Sequence, residues 1–185
     1  MACFQDLTLG MCGAFVMMSA PMMLFQSFMG VNMLRVVQSS PKAKYLQTSV
    51  MSTVLVGLEL AGYLLSTLVM MILVATGVLP VQGIGMVCLL TCGFAVFTMI
   101  YYIFSYRFFT ASTVFFYVGF FAGFASIQTG MKALAKLQIP VPAAFGIGMA
   151  VIVLMWFVIR LIAELLVKYP MDTKALGAAG KTIVG

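Results

Sequence analysis

Apolar runs long enough to cross a lipid bilayer recur five times along this chain, separated by short polar, proline- or glycine-bearing stretches. A helix rises about 1.5 Å per residue, so about 20 apolar residues cover the hydrocarbon core. The pattern predicts spans over about residues 9–34, 50–78, 84–104, 113–131 and 141–166, then a short polar tail over 167–185. The stretch "GVLPVQG" carries Gly77 and Pro80 and predicts a tight turn between the second and third spans. "IPVP", from Ile139 to Pro142, breaks the chain before the fifth. The expected fold is an all-α integral membrane protein, a bundle of about five transmembrane helices with short loops. It forms one polytopic domain, without a repeat or a soluble module.

Composition strengthens this picture. Of 185 residues, 64% are hydrophobic and 8% charged, where a soluble domain carries about 25% charged residues. A soluble fold of this size could not hide so much apolar surface. The net charge of +6 could point to nucleic acid, but the ten basic residues are scattered. Most stand at the ends of apolar runs, where membrane topology places them. The N-terminal tail has no basic residue, so a secretory signal or transit peptide is not expected there. The first loop has Arg35, Lys42 and Lys44, the second none, and the third Arg107. The tail has Lys168, Lys174 and Lys181, with Arg160 near the end of its helix. The alternation places the N-terminus outside and the C-terminus inside, in cytosol or matrix. Lys132 and Lys136 in the fourth loop run against it. A re-entrant pairing of the third and fourth runs would change the span count.

Small residues mark places where helix backbones can approach closely. Gly119 and Gly123 form such a pair in the fourth span, and Ala144 with Gly148 another in the fifth. These two spans are the expected packing partners, within the chain or between copies. Aromatic residues crowd between Phe94 and Phe124, and read as an interfacial belt or as a grip on a lipid, a quinone or a neighbouring helix. Seventeen methionines, including Met17, Met18, Met22 and Met23, read as gap fillers rather than copper ligands, because the chain has no histidine. Cys88 and Cys92, four apart on one helix face, read as small packing residues. Neither zinc nor thioredoxin spacing occurs, and no cofactor is expected beyond lipids in the grooves. Arg160, Glu164 and Lys168 form an i, i+4 ladder, which reads as an anchored helix end or a charged contact with a partner subunit.

One residue stands apart. Glu59 is flanked by Val, Leu, Gly and Ala in "TVLVGLELAGYLL". If the second span enters near Tyr45, Glu59 lies roughly 20 Å deep. An ionised carboxylate there costs about 2.5–3.5 kcal/mol on insertion scales. It must be protonated, paired or facing a wet cavity. Candidate partners are Gln26, Asn32, Arg35 and Thr98 from other spans. The basic loop at Pro41 and Lys42, followed by the Glu59 helix, resembles over about thirty residues the carboxyl-bearing helix of a rotary ATPase proteolipid. The resemblance would imply a proton or sodium site at Glu59. However, bulky Met and Phe with Pro21 stand where that family alternates glycines, and five spans do not match it, so no family is assigned.

No catalytic constellation is visible. Four acidic residues and no histidine leave almost no acid–base or metal pair for a lipid-modifying enzyme. The leading expectation is a non-catalytic accessory or structural subunit of a larger membrane complex, such as an energy-transducing complex of a mitochondrial-type inner membrane. Its partners would be lipids and other integral subunits or copies of itself, not nucleic acid. The alternative is a small oligomeric channel or transporter for protons or cations, with Glu59, Gln26 and Asn32 as its buried polar site.

Overall fold

A computed structural model of the chain describes Leu24 and residues 39–78, 84–105, 107–119, 121–122 and 139–169. Among these residues every element is helical and no strand occurs. The first helix, α1, opens as Ala43–Tyr45, passes through a π turn at Leu46–Val50 and continues as Met51–Ala75. The other long helices are α2, Ile84–Ser105, and α4, Val141–Leu166. Between them lies a shorter apolar helix, α3, Phe109–Gly119. Three helices, α1, α2 and α4, are long and apolar enough to cross a membrane. Apart from Leu24, the expected first span lies outside the described residues, as does about half of the fourth.

Local chemistry sets the boundaries. Gly77 adopts φ +75°, a left-handed conformation that glycine takes without steric cost, and α1 ends two residues before it. Pro140 caps α4 in extended geometry, and Pro142 occupies the first turn, where a missing N–H costs nothing. Helix α1 begins seven residues before the apolar run that predicted it. Its polar start survives because Thr48, Ser52 and Thr53 each return a hydroxyl hydrogen bond to the carbonyl four residues back. Over its full 33 residues it is about 50 Å long.

The helices pack with their polar side chains inward. The buried stripe of α1 includes Ser52, Glu59, Ser66 and Thr67, with Leu55, Tyr63 and Met70 at the same helical spacing. Its outer face carries Leu64, Leu65, Leu68, Met71 and Ile72. Helix α4 likewise exposes Val153, Leu154, Phe157, Leu161 and Leu165. Water would favour the reverse arrangement, whereas a bilayer solvates large apolar faces and drives polar groups to the bundle interior.

Contacts at the helix ends fix their relative directions. Arg107, just past α2, donates to the Gln47 side chain near the start of α1 at 2.9 Å. It also donates to the Tyr169 carbonyl beyond the end of α4. At the other end, Gly85 lies against the Ile139 carbonyl, and Val74 packs with Ile84, Cys88 and Ala144. Helices α2 and α4 therefore run parallel, with α1 antiparallel to both. Helix α3 runs back along α2. Its Phe116 ring stacks on Phe97 and contacts Tyr101, and its Gly119 faces the Phe97 ring. Part of the aromatic crowding of the sequence is thus a seam between α2 and α3, while Phe104, Phe108, Tyr117 and Phe121 are exposed.

Candidate functional site

Glu59 stands at the midpoint of the 33-residue helix α1 and is 1% exposed. Its neighbours along the buried stripe are Leu55 and Tyr63, one helical turn to either side. Across the interface on α2, the Thr98 hydroxyl donates to Glu59 Oε1 at 2.8 Å. Oε2 has no hydrogen-bond partner among the described residues. The only described ion pair with a carboxylate, Arg160 with Glu164, lies at the surface of the end of α4. Among the described residues, the buried carboxyl is thus held by one hydroxyl.

Thr98 has competing partners. Its oxygen also lies 3.0 Å from the Phe94 carbonyl and 2.9 Å from the Ala95 carbonyl of its own helix. A hydroxyl carries one proton, so donation to Glu59 competes with donation to the helix. Thr98→Val removes the donor and leaves both carboxyl oxygens unsatisfied, a loss of about 1–3 kcal/mol. Thr98→Ser keeps the hydroxyl and is expected to lose much less. Denaturation in mixed micelles compares the two. Equal stability of the valine and serine variants would show that the hydroxyl does not hold the carboxyl.

Of the other residues singled out in the sequence, Gln26, Asn32, Arg35 and Gly123 lie outside the described residues. Gly119 faces Phe97 of α2, where a Cβ would come within 2.8 Å of the ring. Ala144 is buried beside Ile84 and Cys88. Gly148 lies under the Tyr63 ring of α1, whose Cζ would stand 2.7 Å from an added Cβ. In the described residues the small positions of α4 meet α1 and α2. Cys88 and Cys92 are buried free thiols, and Cys92 Sγ approaches the Gly148 carbonyl at 3.6 Å. Among the described residues no group of three or more His, Cys, Asp or Glu could hold a metal ion.

No protein-family model, curated protein or solved structure matches the chain.

Two features were not singled out from sequence. Arg107 is a buried clamp joining three helix ends, and nothing local in the sequence pairs it with Gln47 or Tyr169. Trp156 on α4 donates its indole N–H to Thr53 Oγ1 on α1 at 3.0 Å. Arg160 lies over the same indole, 5.4 Å from its centroid, and pairs with Glu164 at 3.3 Å. That surface pair is exposed and screened, so it adds little to stability.

Proposed function

We propose that this chain is a non-catalytic structural subunit of a larger membrane assembly, in the setting of an energy-transducing membrane of the mitochondrial inner-membrane type. The observation that carries this reading is how the buried polar side chains are used. Among the described residues, Thr48, Ser52, Ser66, Thr67, Thr91, Ser105 and Ser112 all bond to a nearby carbonyl of their own chain segment. Thr98, Arg107 and one oxygen of Glu59 join one element to another. Such groups assemble helices rather than bind and transform a substrate. Long exposed apolar faces on α1 and α4 leave room for lipid and for other integral subunits. Gentle purification tests the reading. A stoichiometric set of foreign membrane subunits is expected to accompany the chain and identify the membrane. Recovery as a homo-oligomer alone would overturn it.

One observation favours a second reading, a small oligomeric proton or cation channel or transporter. Oε2 of Glu59 is buried and unpartnered among the described residues, at mid-helix. A protonated carboxyl can donate its O–H to Thr98, whose own proton then turns to the Phe94 or Ala95 carbonyl. Glu59 and Thr98 thus support two hydrogen-bond arrangements that differ by one proton. Under this reading, Glu59→Gln abolishes flux in reconstituted vesicles that the native chain supports. Equal flux, or none in either, removes it.

A further inference from the structure

The described charges are strongly polarised along the bundle. Apart from Glu59, every described charged side chain lies toward the end where α1 begins and α2 and α4 finish. The described residues at the opposite end, 70–78, 84–90 and 139–148, contain no charged side chain. At the charged end, Arg107 is buried in its clamp, and Arg160 is neutralised by Glu164. This leaves Lys42, Lys44 and Lys168 as exposed cations with no carboxylate paired to them among the described residues. The Arg107 contacts to Gln47 and Tyr169 bring the segments bearing Lys44 and Lys168 to the same rim. The exposed rings of Tyr45, Phe108 and Tyr169 share that rim, as expected for a membrane–water interface.

We propose that this rim binds the headgroups of anionic phospholipids from the adjoining leaflet, in preference to zwitterionic ones. The argument is charge complementarity at a fixed depth. A lysine at a membrane surface favours an anionic headgroup by about five-fold, and each additional one acts in the same direction. The acyl chains of a lipid so held descend along the seam between α1 and α4, which the Trp156–Thr53 hydrogen bond closes. Residues 156, 160, 164 and 168 follow one another at i, i+4 spacing, so Trp156 lies on the row that leads toward Lys168. Trp156 is about 18 Å below Lys168, at acyl-chain depth. The inference rests on membrane insertion and holds whether or not the chain works within a larger assembly.

Trp156 is the sole tryptophan, which supplies the test. The full chain is reconstituted into phosphatidylcholine vesicles containing an equal mole fraction of either brominated-chain phosphatidylglycerol or brominated-chain phosphatidylcholine, and quenching of Trp156 is compared. The anionic probe is expected to bind about five-fold or more in preference to the zwitterionic one. High salt is expected to lower this ratio. The combined variant Lys42→Gln, Lys44→Gln, Lys168→Gln is expected to bring it close to unity. These side chains are exposed, so circular dichroism should show an unchanged helical bundle. A native ratio of one, or a ratio unchanged in the triple variant, would overturn the proposal. Loss of the preference to inorganic phosphate, but not to chloride at the same ionic strength, would assign the rim to free phosphate and overturn the lipid assignment. A preference that phosphate leaves intact supports it.

Discussion

Gly148→Leu is expected to separate α4 from α1 and to abolish cooperative unfolding of the bundle in detergent micelles. Gly148 is the point of closest approach for the Tyr63 side chain. An added Cβ would overlap the Tyr63 hydroxyl and stand 2.7 Å from Cζ. Tyr63 cannot move aside cheaply. Its ring is fully buried, stacks on Phe145 with centroids 5.8 Å apart, and donates its hydroxyl toward the Phe145 carbonyl at 3.5 Å. Alanine tests the same contact gently, with an expected loss of about 1–3 kcal/mol from overpacking. Combining Gly148→Ala with Tyr63→Phe removes part of the overlap, so the double variant should lose less than the sum of the single ones. Thermal unfolding of all four proteins checks this. An alanine variant as stable as the native chain would show that the α1–α4 seam yields without cost.

Arg107→Ala is expected to have the next largest effect, a loss of roughly 2–4 kcal/mol. Hydrogen bonds to a charged group contribute about 1.5–3 kcal/mol each. Arg107 is 7% exposed and serves both Gln47 Oε1 and the Tyr169 carbonyl. Lysine keeps the charge but lacks the planar fork that reaches two acceptors at once. Arg107→Lys should therefore recover only part of the loss. Hydrogen exchange at Val167 and Tyr169, whose amides bond back to the Ala163 and Leu166 carbonyls, should quicken in the alanine variant. Unchanged exchange and stability would show that the three helix ends hold together without the clamp.

Much of the helix layout was legible because apolar length and the proline and glycine breaks act locally. The fifth predicted span coincides with Val141–Leu166, and the third differs from Ile84–Ser105 by one residue. The start of α1 was hidden by Lys42, Lys44, Gln47, Thr48 and Ser49, which read as loop. Hydroxyls that fold back onto their own helix cancel that polarity. Glu59 was visible as an anomaly, and Thr98 was one of its named candidate partners. Which candidate meets it depends on the crossing of α1 with α2, a non-local property. The same holds for Gly119 and Gly148. Their small size announces close approach, but the partners, Phe97 and Tyr63, are set by how the helices are laid side by side.

The length of α1 has a mechanical consequence. At about 50 Å it exceeds a hydrocarbon core of roughly 30 Å, a mismatch that helices relieve by tilting or by extending into the headgroups. A rod tilting about its centre sweeps its ends through the largest arc and leaves its pivot in place. Glu59 occupies that pivot, while Lys44 and Thr76 ride near the two tips. When bilayer thickness changes, the tips shift relative to the headgroups, and the carboxyl keeps its depth.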